Sequence, residues 1–145
     1  MKKAFEVYLK SVGITSKAML RRIGLIHDEC ELMCSAKPQA IFVDEYIDEG
    51  GRQYECVNFF TASFHFASGD FMGDNREYTF VHIKRKILKW KMEKAHYDLK
   101  KATSKSRITI TFYFSDMANA SLKASGKNCD VALSIFRKYI APNVI

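Results

Sequence analysis

A dense run of lysines and arginines is the feature of this sequence with the clearest chemistry. From Lys84 to Arg107 the chain holds ten of these cations and only two acidic residues, Glu93 and Asp98, so the segment carries a charge of +8. Because the whole chain carries +7, the remaining residues sum to −1. Clustered cations can neutralise the phosphates of nucleic acid or of lipid headgroups, with an affinity that falls as salt rises. An ordinary solvated face, balanced by the acidic stretch FVDEYIDEGG, is the competing interpretation. The predicted anion-binding residues are Lys84, Arg85, Lys86, Lys89 and Lys91.

Histidine and cysteine residues on one predicted helix suggest a second kind of chemistry. His27, Cys30 and Cys34 are spaced i, i+3 and i+7, so they share one helical face, and imidazole and thiolate are zinc ligands. A structural zinc takes four ligands, and the sequence has no CxxC or HxxxH pair elsewhere to complete the set. Cys30 also belongs to the apolar stripe of that helix. We therefore predict reduced, buried or half-buried thiols and no metal.

The other histidines are candidates for acid–base chemistry. His65 and His82 fall on predicted strands, and His96 falls near a turn. No nucleophile motif, glycine-rich phosphate loop or HExxH sequence accompanies them. Imidazoles that face solvent or bond to the backbone are the simpler interpretation. We predict no catalytic residue, no cofactor and no enzymatic activity.

Two helices are predicted before residue 36. Apolar residues from Phe5 to Val12 have helical spacing, and Gly13 ends that run. Thr15 or Ser16 can cap the second helix by accepting a hydrogen bond from an otherwise unsatisfied amide. The apolar stripe of the second helix can pack on its own domain or pair across two chains. This stripe consists of Met19, Ile23, Ile26, Cys30 and Met33.

From residue 40 onward the pattern is that of strands. Two extended runs around a Gly-Gly pair predict a hairpin, and RITITFYF alternates between apolar and polar residues as a half-buried strand does. Residues 83–101 fit either a helix or a strand, and we favour a strand at ILKWKME because its neighbours are strands. Asn128 or Asp130 can start a last helix, which Pro142 ends.

Helices, six or seven strands and one terminal helix therefore follow in that order. The stretches YECVNFFTASFHFASGDF, REYTFVHIKRKILKWKME, RITITFYFSDMANASLKAS and CDVALSIFRKYI carry the pattern. Over about residues 40–141 it resembles the bacterial pleckstrin-homology-like domains. The resemblance implies an α+β fold with a bent, mainly antiparallel sheet or partly open barrel and a C-terminal capping helix. It also implies a pleckstrin-homology-like domain at 37–145, and the N-terminal helical element at 1–36 lies outside the resemblance as an added element. In phosphoinositide-binding members basic residues cluster at the first hairpin, whereas this hairpin is acidic.

These observations predict a non-catalytic binding or assembly module. Its expected partner is a protein or a second copy of the chain, and an anionic surface of nucleic acid or lipid headgroups is the candidate for the basic residues. The alternative is a small cone-shaped α+β enzyme or ligand carrier in which His65 or His82 lies in a pocket. No stretch approaches the roughly 20 apolar residues that span a membrane. We expect a cytoplasmic protein, of bacterial type by resemblance, with its four cysteines reduced.

Overall fold

The computed structural model describes residues 1–48, 51–61, 66–69, 80–83, 86–97 and 102–144. The predicted α+β fold, with two N-terminal helices, antiparallel strands and a C-terminal helix, is confirmed in these residues. The helices are α1 (Lys3–Ser11), α2 (Lys17–Cys34) and α3 (Asn128–Ile135). The strands are β1 (Ala40–Asp48), β2 (Gly51–Phe60), β3 (Phe66–Gly69), β4 (Phe80–Ile83), β5 (Ile87–Ala95), β6 (Arg107–Phe114) and β7 (Asn119–Ser125).

Helices α1 and α2 begin and end much as their sequences predict. Ser16 caps α2 by accepting a hydrogen bond from the amide of Met19 (3.5 Å), and Gly13 has a φ of +94° that lets the chain turn between the helices. The predicted place of Met33 in the buried stripe is wrong, because its side chain is 60% exposed. The side chain of Cys34, the next residue, is buried instead. The buried side chains of α2 are Ile23, Ile26, His27, Cys30 and Cys34.

The strands form two antiparallel sheets in place of the one bent sheet that we expected. The first has the order β1-β2-β3-β4 and the second the order β5-β6-β7, with no ladder between them among the described strands. Asp48 pairs with Gly51, which confirms the predicted hairpin. The strand interpretation of ILKWKME is also confirmed, since β5 pairs with β6 from Ile87 to Ala95.

The first sheet is the middle layer of the fold. One of its faces packs on α1 and α2, and the opposite face packs on the inner face of the second sheet and on α3. The side chains on the helix-facing side are Ile41, Val43, Val57 and Phe59. The opposite core combines Phe42 and Phe60 with Ile108, Ile110, Phe112, Phe114, Leu122, Leu133 and Ile140.

A closed ring of hydrogen bonds joins β1 to α1 and α3. The amide of Val43 donates to the hydroxyl of Tyr8 (2.8 Å), and this hydroxyl donates to Oδ1 of Asn128 (2.7 Å). Nδ2 of Asn128 then donates to the carbonyl of Val43 (3.1 Å), so both backbone groups of this edge residue are satisfied. The prediction that Asn128 or Asp130 starts the last helix is confirmed, because α3 begins at Asn128; Lys127 is at the capping position, where no side chain makes a capping hydrogen bond.

Two buried carboxylates join β1 to β7. Oδ1 of Asp44 accepts a hydrogen bond from the amide of Lys123 (2.6 Å), and Oε2 of Glu45 accepts one from the amide of Ser125 (2.5 Å). The pairing of β1 with β2 shifts register between Asp44 and Glu45. This irregularity lets two consecutive side chains bind amides of the same strand, β7. We call these two carboxylates and the two amides the carboxylate seam.

Candidate functional site

The outer surface of the β5-β6-β7 sheet presents cations on an open strand surface. Alternation along β6 buries the apolar residues of Ile108–Phe114 and turns the intervening side chains outward. The register then sets Lys89 opposite Tyr113 and Lys91 opposite Thr111. We call this surface the basic face. It consists of Lys89, Lys91, Glu93, Arg107, Thr109, Thr111, Tyr113, Ser121 and Lys123.

One contact across the strands and one along β5 hold the two predicted lysines in place. Nζ of Lys89 lies 5.0 Å from the ring centroid of Tyr113, a cation–π distance. Nζ of Lys91 lies 2.7 Å from Oε1 of Glu93 on the same strand, and this hydrogen bond and the carboxylate charge raise the pKa of Lys91. Glu93 therefore offsets part of the charge of Lys91, whereas the ammonium group of Lys89 lies over an aromatic ring.

Three cations of the basic face have no carboxylate partner within the described residues. Lys91 forms an ion pair with Glu93. No carboxylate oxygen of the described residues lies within ion-pair distance of Lys89, Arg107 or Lys123. The guanidinium of Arg107 donates one hydrogen bond to the neighbouring Ser106 carbonyl (3.2 Å), which leaves further donors for a ligand.

The structure describes three of the five predicted anion-binding residues. Lys89 and Lys91 lie exposed on the basic face, and Lys86 lies exposed just before β5. Lys84 and Arg85 lie outside the described residues. The sequence analysis did not assign Arg107 and Lys123, the two cations that the fold adds to this surface.

Two exposed apolar side chains accompany the cations of β5. Leu88 and Trp90 are 44% and 45% exposed, and the Trp90 ring meets the Phe136 ring edge-on at 4.7 Å. Trp90 pairs with Phe112, so it projects to the side opposite the lysines. Tyr113 is thus the aromatic residue of the basic face. The lysines also protect this edge strand from pairing with another sheet.

The carboxylate seam bounds the basic face on the β7 side. The side chains of Asp44 and Glu45 are 6% and 0% exposed, and both point at β7 amides. Their negative charge disfavours an anion at this edge. We therefore expect an anion to reach Lys123 from the β6 side and not from the outer edge of β7.

The side chains of His27 and His96 have different surroundings. His27 is buried edge-on to Phe59, with ring centroids 5.5 Å apart, and its Nδ1 lies 3.0 Å from Asp28. His96 is exposed at a turn with a φ of +52°. His82 lies on β4 opposite Ala67, and His65 lies outside the described residues.

The cysteines of α2 have the environment of structural thiols. The sulfur atoms of Cys30 and Cys34 lie 3.8 Å apart in the core. Burial raises the pKa of Cys30 to about 12 and also raises that of Cys34, so both stay protonated at neutral pH. A protonated thiol is a poor nucleophile and metal ligand. The metal-ligating atoms that α2 does bring within 4.8 Å of one another belong to His27, Asp28 and Glu31.

No protein-family model, curated protein or solved structure matches this chain. Among the described residues, no helix is both long enough and apolar enough to cross a membrane.

Proposed function

We propose that this chain is a non-catalytic binding module whose basic face holds single-stranded nucleic acid. The observation that carries the proposal is that Lys89, Arg107 and Lys123 lie on one face of three neighbouring strands, spread along the length of β6, without a carboxylate partner in the described structure. An open sheet lets a flexible strand lie over several side chains at once, and cations there would contact its phosphates.

Single-stranded nucleic acid suits this surface better than a duplex or a lipid bilayer. Tyr113 offers a ring for stacking near one end of the face, and Thr111 and Ser121 add hydroxyl groups beside it. Among the described residues, no helix lies on this face to enter a major groove. Trp90, which could enter a bilayer, projects to the other side of the sheet.

As part of the same proposal, we infer that the chain has the pleckstrin-homology-like fold that its sequence resembles. The antiparallel strands of the described residues, followed by a C-terminal helix, support it. The division at residues 36 and 37 and a cytoplasmic location stay predictions. The cone-shaped enzyme or carrier with His65 or His82 in a pocket stays the alternative prediction; His65 lies outside the described residues.

The test is charge reversal on β5. In anisotropy titrations with labelled single-stranded RNA, the wild type should bind with a log–log salt slope of about −2 to −3, from three or four phosphate contacts at about 0.7 each. That slope weakens binding roughly 20- to 50-fold between 50 and 200 mM salt. Lys89→Glu with Lys91→Glu should remove most of the affinity and reduce the slope.

The matched control is Lys3→Glu with Lys17→Glu. It changes the net charge by the same amount at exposed sites in the first turns of α1 and α2, where acidic residues suit the helix dipole. Equal loss of binding in both double variants would show that the overall charge of the protein explains RNA binding, and it would contradict the proposal. Stronger binding to anionic liposomes than to RNA would assign the face to lipid headgroups instead.

Self-association is the second candidate function, and exposed leucines on α2 favour it. Leu25 and Leu32 are 49% and 77% exposed, and seven residues separate them, so they lie in one row along the helix. These leucines do not belong to the apolar stripe of α2 that the sequence analysis considered for pairing between two chains. That stripe cannot pair across chains because Ile23 and Ile26 are fully buried within the chain.

Light scattering tests this second candidate. If the leucine row joins two copies, the wild type should have twice the mass of a Leu32→Glu variant at the same concentration. The control is Val7→Glu on α1, which introduces the same charge at a side chain that is 60% exposed. Monomeric wild type across the concentration range would contradict self-association.

A further inference from the structure

A cavity of about 530 Å³ lies at the end of the molecule where α1, α3 and the second sheet meet. The end of α1, the turn before β6, the last residue of β7 and the start of α3 form its walls. Its volume falls within the range of pockets for small molecules. We propose that this cavity binds a small phosphate monoester, that is, a phosphate group carried on a compact organic body.

The charge of the walls selects an anion. Two lining residues, Arg107 and Lys127, are cationic, and none of the described lining residues is acidic. Neither cation has a carboxylate partner in the described part of the chain. Guanidinium and ammonium groups bind phosphate through charge-assisted hydrogen bonds. Hydroxyl groups that can add further hydrogen bonds belong to Ser11, Thr103, Ser104 and Ser125.

The walls are held in place before any ligand arrives. Oγ of Ser106, which is fully buried, accepts from the amide of Thr103 (2.9 Å) and donates to the carbonyl of His96 (2.9 Å). The carbonyl of Ser106 accepts from the amide of Gly126 (3.0 Å) and from Arg107. The turn before β6 is thus tied to the end of β7. A preformed site loses less conformational entropy when a ligand binds.

The apolar residues that line the rest of the cavity indicate that the ligand also has an organic part. Val12, Ala102 and Val131 line the cavity with apolar surface, and the space exceeds what a lone phosphate fills. A ligand that placed its phosphate by Arg107 and Lys127 would set its organic body against these side chains. This site does not depend on polymer binding by the basic face, although Arg107 belongs to both.

Calorimetric titration at low salt tests the proposal with adenosine monophosphate as the probe. The wild type should bind saturably, Lys127→Ala should bind about tenfold or more weakly because a charged hydrogen bond is lost, and Lys127→Arg should recover most of the affinity. Lys89→Ala, on the basic face but away from the cavity, should bind like the wild type. Amide chemical shifts of the wild type should move at Gly126 and Val131, which checks the site without any variant.

The controls separate this site from the basic face. Lys127→Ala should keep its affinity for single-stranded RNA, and the Lys89 and Lys91 reversals should keep their affinity for the nucleotide. Equal affinity of the wild type and Lys127→Ala, no binding at millimolar nucleotide, or equal binding of adenosine would overturn the proposal. Equal affinity for inorganic phosphate would overturn the assignment of an organic ligand.

Discussion

Replacing Tyr8 with phenylalanine removes one oxygen atom from the hydrogen-bonded ring that joins α1, β1 and α3. The wild-type hydroxyl accepts from the amide of Val43 and donates to the side chain of Asn128. Val43 is fully buried and Asn128 is 3% exposed, so solvent scarcely reaches either group. The substitution therefore leaves one buried donor and one buried acceptor without this partner.

The expected loss of stability follows from these two groups. A buried polar group that loses its hydrogen bond costs roughly 1–3 kcal/mol, so two groups set a range of about 2–6 kcal/mol. Tyr8 is half-buried and lines the 530 Å³ cavity, so a water molecule can take over part of the hydroxyl's role. We therefore expect Tyr8→Phe to lower the free energy of unfolding by about 1–3 kcal/mol.

Urea denaturation and amide hydrogen exchange measure this effect together. The midpoint of unfolding should fall in Tyr8→Phe, and the amide of Val43 should exchange faster. Tyr113→Phe is the matched control, because no described residue makes a hydrogen bond with the Tyr113 hydroxyl, and its stability should stay within about 0.5 kcal/mol of wild type. In a double-mutant cycle, Tyr8→Phe and Asn128→Ala should be coupled by more than about 0.5 kcal/mol. Equal stability of the two Tyr→Phe variants, with unchanged exchange at Val43, would refute the role of the ring.

Two further predictions concern the cysteines and the tryptophan. Because burial raises the pKa of Cys30 from 9.0 to about 12, its neutral thiol stabilises the fold fully below pH 9, and this contribution is lost as the pH rises towards 12. Wild-type stability should thus fall more steeply between pH 9 and 10.5 than that of Cys30→Ala, and parallel pH curves would contradict this. Trp90, the single tryptophan, is 45% exposed and points away from the basic face. Acrylamide should quench its fluorescence equally with and without bound RNA, and protection by RNA would place the strand on the opposite side of the sheet.

The elements of this fold could be predicted from local sequence because each has its own periodicity. The alternation in RITITFYF predicted a strand with its apolar residues inward, since successive side chains on a strand point to opposite faces. The helical spacing of α2 predicted Ile23, Ile26 and Cys30 in the core. The prediction for Met33 was wrong because residues spaced alternately by three and four repeat every 3.5 residues, whereas a helix has 3.6 residues per turn. Such a stripe moves gradually around the helix, so that Cys34 lies on the buried side and Met33 does not.

The candidate site could be predicted only in part because it depends on contacts between distant segments. Lys89 and Lys91 were found from one run of sequence, whereas Lys123 reaches the same surface through the register of β5 with β6 and of β6 with β7. Arg107 could have been placed there, since it occupies an outward position of the RITITFYF strand. The role of Asn128 depends on a residue 85 positions away, and no local pattern carries that information.

The carboxylate seam explains why Asp44 and Glu45 do not balance the cations of the basic face. The sequence places Asp44 and Glu45 in an acidic hairpin, and a surface hairpin of that kind could balance the lysines. In the fold both side chains turn inward and bind amides of Lys123 and Ser125, about 80 residues away. Because these carboxylates are buried and hydrogen-bonded to the backbone, they cannot move to form ion pairs with the long side chains of surface lysines. The basic face therefore keeps Lys89, Arg107 and Lys123 available for the anionic partner that we propose.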